Sequence, residues 1–576
     1  MLKLLKYLKP YILLILLLLG LTYAQVMASL ALPDYMAKIV NEGIVNQDQA
    51  LIWRTGLTMI LVTLGGALAT VIAGYLSAKI GTGFSKNLRK VVFKKVESFS
   101  TEEFNNFSTA SLITRSTNDI QQVQMVVIIL FRMVLSAPIM GIGAVIKANN
   151  MAPSMTWIMG VAVVVLLTMI IVLFVVAVPK FKLVQELIDK LNLVTRQNLT
   201  GLKVIKAFNT EDYEKDKFDN VNKDLTKINL FVHRIMVIMQ PTMMLVFNLT
   251  TIAIIWIGAH RINVGELQIG DMMAFMQYAM QVIISFLMIS IIFILLPRAS
   301  VSAQRISEVL EASLHILDPK KPKKAMGQGQ VVFKNVTFSY PDADVPVLYN
   351  ISFTAKPGET TAIIGGTGSG KSTIVNLIPR FFDVTSGEVL IDGVNVKDIK
   401  KKDLRRRIGY IPQKGVLFSG TIKSNIKYGK PTATEHEVLE AARVAQATEF
   451  ISKLENGYDS HVAQGGSNFS GGQKQRLAIA RAILLNPDIY IFDDSFSALD
   501  FETDYKLREE LKTITKNSTV IIVAQRIGTM LHADKIVVLD NGRIVGVGKH
   551  KELLKNCEIY REIANSQLSE KELEYE

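Results

Sequence analysis

At 576 residues, with 49% hydrophobic and only 20% charged side chains, the chain is too long for one domain and too apolar for an ordinary soluble enzyme, so part of it belongs in a lipid bilayer. A single cysteine, Cys557, excludes an internal disulfide framework and a multi-cysteine metal site, and the histidines show no ligand spacing. The net charge of +13 comes without any basic stretch interleaved with aromatics, which argues against a nucleic-acid partner and for charge that flanks membrane spans.

Lys3, Lys6 and Lys9 precede an uncharged run over residues 11–32, long enough to cross a bilayer core. A cleaved signal peptide is the competing reading, since Ala24, Ala28 and Ala31 follow the most apolar part, but the run exceeds the roughly 7–15 residues of a usual signal core. Apolar runs at 57–78, 123–146, 155–178, 236–259 and 272–296 bring the predicted spans to six. The connections after the second and fourth are long and basic, whereas 147–153 and 260–270 are short and carry little charge. The positive-inside rule then places the N-terminus, both long connections and the C-terminal half in the cytoplasm of a multi-pass plasma-membrane protein.

The long connections lack Gly/Ser linker composition, so the spans are expected to continue as helices; residues 57–98 as one helix would be roughly 60 Å long. Two turns at their cytoplasmic ends, 104–119 and 201–213, are candidates for contact with a partner domain, with a solvated loop as the alternative. Among polar residues in the spans, Arg132 is the first candidate to face a cavity or the bundle interior. Pro241 is expected to kink the fifth span. Methionines gather in the last two spans (Met236, Met239, Met243, Met244, Met272, Met273, Met276, Met280 and Met288) and suit either a cavity for varied apolar shapes or ordinary packing.

After residue 317 the composition shifts. A charged, proline-punctuated linker covers 318–327, which divides the chain into a membrane domain, 1–317, and a second domain, 328–576. Two strands are predicted at 331–339 and 347–354, with Tyr340 after the first, where its ring can stack on adenine or simply line a turn. An apolar strand then leads into Gly365, Gly366, Thr367, Gly368, Ser369, Gly370, Lys371, Ser372 and Thr373, a P-loop. Its glycines let consecutive N–H groups curl round a polyphosphate of ATP or GTP, Lys371 and a following helix add positive potential, and Ser372 reaches Mg²⁺. Residues 488–493 form an apolar strand ending in Asp493, the Walker B arrangement for that Mg²⁺. Between them, Ser470, Gly471, Gly472 and Gln473 open a basic helix with exposed N–H groups, a second phosphate-binding surface or a plain capped start.

This combination resembles the ABC transporter family, and six spans ahead of it resemble an exporter half-transporter of the multidrug type. The fold class is therefore an α-helical six-span transmembrane domain followed by an α/β P-loop NTPase domain of ABC type. The resemblance implies that ATP and Mg²⁺ are the ligands and that Tyr340 is the adenine-stacking residue. It places Gln413 of the Q-loop with Ser372 and Asp493 at the metal, makes Ser470–Gln473 the signature, and puts Asp500 at the end of the D-loop, 497–500. It also implies a dimer in which each ATP lies between one chain's P-loop and the other's signature, with 104–119 and 201–213 as coupling helices.

Two positions depart from the family pattern. Asp494 stands where hydrolysing members carry glutamate, and Gln525 where they carry the switch histidine. Asp494 is one methylene shorter, and about 1 Å in a water-positioning base can cost on the order of a hundredfold. Gln525 can hydrogen-bond a γ-phosphate but cannot carry imidazolium charge. Together they resemble the heterodimeric exporters with one degenerate ATP site, a homodimer being the alternative. Residues 463–466, Ala-Gln-Gly-Gly, also differ from the family's usual Gly-Glu-Arg-Gly. The expected function is ATP-driven export of amphipathic or hydrophobic small molecules; a lipid or peptide exporter, or an ATP-gated regulatory membrane subunit, are the alternatives.

Overall fold

The computed structural model describes residues 2–341 and 343–567. The tail 568–576, assigned above to the second domain, lies outside the described residues. The chain divides into two compact units, one made of Met1–Glu97 and Ser108–Ala312, the other of Ser98–Phe107 and the chain from Ser313 onward.

In the first unit, six helices among the described residues are long and apolar enough to cross a membrane. The second is a 49-residue helix, Gln49–Glu97, about 73 Å long at 1.5 Å per residue. The fourth, Thr156–Thr200, and the sixth, Ile269–Glu311, likewise outrun a bilayer. Helix Glu211–Asn263 continues unbroken through Pro241. The first predicted turn is divided: Ser108, at φ +52°, caps helix Thr109–Ser116 through a bond from the Ser111 N–H, and Asn118–Ile129 follows Thr117. In the second, helix Leu202–Phe208 ends at Asn209 in the left-handed region, and three acids of the next helix, Glu211, Asp212 and Glu214, sit in its first turn, where the helix dipole favours them.

The polar anchor of this bundle is not Arg132, which lies on an exposed side of a π-helical turn, Leu130–Val134. It is Asp34, whose Oδ2 is 2.6 Å from Lys147 Nζ and whose Oδ1 is 2.5 Å from the hydroxyl of the fully buried Tyr278. Asp34 and Lys147 fall just past the apolar cores of the first and third runs, so their sequence positions gave no sign of pairing. Tyr278→Phe removes one donor from this half-buried carboxylate. It is expected to lower stability by about 1 kcal/mol; a thermal shift in detergent measures it, and an unchanged midpoint would mean that the hydroxyl contributes nothing.

The second unit contains β1 (Val331–Phe338), β2 (Leu348–Ala355), β3 (Thr360–Gly365), β4 (Ser386–Ile391), β5 (Val394–Asn395), β6 (Ile408–Ile411), β7 (Gly420–Thr421), β8 (His461–Val462), β9 (Ile489–Asp493), β10 (Thr519–Val523), β11 (Lys535–Asp540) and β12 (Arg543–Gly548). An antiparallel sheet runs β2-β1-β4-β5, with Phe333 opposite Phe353 and their rings stacked at 4.7 Å. A second sheet runs β12-β11-β3-β10-β9-β6. Its strands β9 and β10 are buried at every residue, as parallel strands covered on both faces must be, which explains their unbroken apolar sequences.

The linker segment is bound to this unit. Lys323 donates from its backbone N–H to the Asp398 carbonyl and from Nζ to the Asp398 carboxylate, both at 2.8 Å. Arg407 donates to the carbonyls of Ala325 and Gly327 while pairing with Asp392 and Asp488. In Ser98–Phe107, buried Glu103 accepts from the His315 N–H at 2.7 Å and from Ser100. Burial alone would raise its carboxyl, but these bonds prevail and hold it at about 2.

Candidate functional site

Strands β3, β10, β9 and β6 are neighbours and parallel, so the loops at their C-terminal ends open along one edge. Strand β3 delivers the Gly365–Thr373 loop, β9 ends on Asp493 and leads into Asp494, β10 leads to Gln525 and β6 to Gln413. Residues separated by up to 160 positions in the sequence thus meet because of the strand order.

The glycines of the loop serve different ends. A Cβ on Gly365 would collide with the Leu539 carbonyl, and one on Gly370, at φ +97°, with Leu348. Gly368 holds φ +82°. Gly366 is different: its backbone does not require glycine, and a Cβ there would meet nothing within 4 Å. The space beside it is what a phosphate chain needs to approach the backbone. Helix Lys371–Leu377 starts directly after, and Lys371, 8% exposed, donates from Nζ to the carbonyls of Gly365 (2.8 Å) and Gly366 (2.7 Å). Burial lowers its pKa, while Asp494 and Asp493 oppose the shift.

Asp493 Oδ1 accepts from Ser372 Oγ at 2.8 Å, so two of the three candidate metal ligands are in contact. Burial raises its pKa, and the bonds from Ser372 and Tyr410 counter that. Tyr410, on β6 three residues before Gln413, joins them: its hydroxyl lies 3.0 Å from Asn376 Oδ1 and 3.3 Å from Asp493 Oδ2. Inward orientation of alternate residues in β6 was the available signal for it.

Asp494 sits at φ +48° with its N–H bonded to the Val523 carbonyl at 2.9 Å. Its Oδ2 accepts from two amides, Gln413 Nε2 and Gln525 Nε2, each at 3.1 Å. The two candidate catalytic amides therefore close on the third candidate. Burial raises the Asp494 pKa, with the Gln413 bond and the Lys371 charge pulling it back.

Tyr340 is half-buried, set edge-on to Phe338 (4.9 Å) and Phe382 (5.2 Å), with its hydroxyl 3.0 Å from Thr373 Oγ1. Its ring is thereby tied to the last residue of the phosphate loop. Helix Gly471–Leu485 begins with a reciprocal cap, Ser470 Oγ accepting from the Gln473 N–H and Gln473 Oε1 from the Ser470 N–H. A Cβ on Gly472 would press on the Ala498 carbonyl at 3.0 Å, so that glycine is fixed by the loop before Asp500. One on Gly471 would meet nothing within 4 Å. Asp500 caps helix Phe501–Ile514 by accepting from the Thr503 N–H, and that bond lowers its pKa.

Known proteins are similar to this chain. The ABC transporter transmembrane region family matches residues 14–286, and the ABC transporter family matches residues 348–497. The chain is 42% identical over 567 residues to an uncharacterized ABC transporter ATP-binding protein of Mycobacterium tuberculosis, covering 98% of this chain and 97% of the relative. It is 35% identical over 505 residues, 86% of each chain, to a Staphylococcus aureus protein named "Putative multidrug export ATP-binding/permease protein". Among solved structures it is similar to a bacterial Atm1-family ABC exporter with ATP bound, with a TM-score of 0.80 and 25% identity over 98% of both chains.

Proposed function

Because the chain belongs to the ABC transporter family, in the form that joins six membrane spans to one nucleotide-binding domain, we propose that it is one half of a heterodimeric exporter of amphipathic or hydrophobic compounds. It is an ATPase-coupled transmembrane transporter that works as a dimer in a membrane. In this reading the membrane is the plasma membrane, with the N-terminus and the nucleotide-binding domain cytoplasmic. The domains are 1–317 and 328–576, and the turns at 104–119 and 201–213 couple them.

The observation that carries the heterodimer reading is the engagement of Asp494. A base that activates water needs a free lone pair directed at that water. Here the carboxylate is a methylene short, and one of its oxygens already accepts from both Gln413 and Gln525. Gln525 brings no ionisable group to replace it. The P-loop, by contrast, keeps the space at Gly366 and the Ser372–Asp493 pair, so this chain's own site binds ATP and holds it. Ser372, Asp493 and Gln413 would hold Mg²⁺, which supplies charge neutralisation on the phosphates. Gly471 supports the other half of the proposal. Glycine there is not demanded by this chain's packing, and it leaves the helix N-terminus open to a nucleotide held by the partner.

Substrate class rests on the relative's name and on the methionines. Met243 is buried and serves packing, whereas Met244 and Met280 are exposed at 64% and 47% and are free to line a cavity. The test is steady-state ATPase of the assembled pair. Asp494→Asn in this chain is expected to keep activity within about threefold, while replacing the partner's catalytic glutamate costs on the order of a hundredfold or more. Equal losses would overturn the degenerate-site reading. Uphill accumulation of a hydrophobic dye in inverted vesicles separates export from gating.

A further inference from the structure

The C-terminal helix Glu558–Asn565 is fastened to the core of the nucleotide unit. Tyr560 and Ala564 are fully buried, and the Tyr560 hydroxyl is 2.7 Å from His550 Nδ1. The chain then turns, with the Gln567 N–H on the Ala564 carbonyl, and this aims the Gln567 side chain at the loop that carries Gln525. Gln567 Oε1 accepts from the Ile527 N–H and Gln567 Nε2 donates to the Gln525 carbonyl, both at 2.8 Å.

One side-chain amide thus pairs with a C=O and an N–H two residues apart, as a single residue of an adjacent parallel strand would. The stretch needs such a partner. Strand β10 ends at Val523, a 3-10 turn begins at Ile527, and the pairing spans the interval between them. On the near side Ala524 is buried with its N–H on the Ile363 carbonyl; on the far side Ile527 is fully buried. Between these fixed points lies Gln525, whose own amide reaches Asp494.

We infer that Gln567 is a positioning residue for Gln525, so that the end of the C-terminal helix sets how firmly this chain's site keeps its nucleotide. The inference rests on the reading of Gln525 as the switch residue. It does not depend on which chain hydrolyses.

The test uses the full-length assembled pair carrying Gln567→Met, which keeps length and volume and removes both bonds, with the shorter Gln567→Asn as a second variant. Two readouts are needed. Hydrogen–deuterium exchange of the peptide containing Ile527 is expected to speed up about tenfold, the effect of losing hydrogen bonds worth ~1.4 kcal/mol in all. Release of radiolabelled 8-azido-ATP from this chain, resolved from its partner on a gel after photolabelling, is expected to speed up by a similar factor. The effect should be non-additive with Gln525→Ala, because both changes act on one contact. Unchanged exchange overturns the inference, and so does faster exchange with unchanged release, or release effects that simply add. Gln567 is exposed, so neither variant is expected to unfold the domain. Failure of the degenerate-site reading looks different: it is a loss of ATPase in Asp494→Asn, which none of these measurements records.

Discussion

Gly471→Asp in this chain is expected to stop steady-state ATP hydrolysis by the assembled pair while leaving its thermal stability unchanged or slightly raised. The two effects have opposite signs for separable reasons. A Cβ on Gly471 meets no atom within 4 Å, and the residue opens helix Gly471–Leu485, so the new side chain fits. A carboxylate in a first helical turn is favourable by about 0.3–1 kcal/mol, and the reciprocal cap between Ser470 and Gln473 does not involve position 471.

The same carboxylate faces whatever phosphate the partner brings to that surface. Two like charges about 4 Å apart repel by ~4 kcal/mol at an effective dielectric of 20. That is on the order of a thousandfold in rate or affinity. If this chain's signature completes the hydrolysing site, the loss appears in ATPase directly. The corresponding substitution in the partner's signature, which faces the holding site of this chain, is expected to cost much less. Activity that survives Gly471→Asp, or equal losses from the two substitutions, would remove the signature from the role proposed for it.

The fold was legible in the sequence wherever a pattern is local. Long apolar runs need only length and composition to be read as spans, and the six helices follow. The P-loop is legible because one short segment contains the strand end, the turn and the helix start. What escaped were contacts that depend on how distant segments are ordered. Nothing in residues 413, 494 and 525 reveals that two amides share one carboxylate oxygen, because that follows from β6, β9 and β10 lying side by side. Arg132 drew attention as a charge within an apolar run and is exposed; Asp34 and Lys147, at the margins of theirs, form a half-buried pair beside the buried Tyr278. Charge at membrane depth is conspicuous, whereas pairing is a property of the bundle. The proline-punctuated linker makes the same point. Nothing in its composition announces that Lys323 is matched to Asp398, seventy-five residues on.

Lys371→Met is expected to reduce ATP labelling of this chain by roughly a hundredfold, the loss of charged hydrogen bonds worth ~3 kcal/mol. The pair should still hydrolyse at a measurable rate, since the partner's own P-loop serves the hydrolysing site; the matching change in the partner should abolish hydrolysis. The substitution also has a signature in pH. Burial raises the pKa values of Asp493 and Asp494 above 3.8, and Lys371 is among the groups that restrain both. A carboxyl whose pKa is higher folded than unfolded binds more protons when folded, so its contribution to stability declines as pH rises from the unfolded value through the folded one. Removing Lys371 raises both folded values further and widens that window. The melting temperature of Lys371→Met should therefore fall more steeply than that of the unaltered protein as pH increases from about 4. ATP retention should move the other way in the unaltered protein. Asp493 must be ionised to hold a cation, so retention should weaken on acidification before the ordinary aspartate range is reached. Parallel melting profiles for the two proteins would show that Lys371 does not restrain these carboxylates, and retention that persists down to pH 3.8 would show that burial does not raise the Asp493 carboxyl.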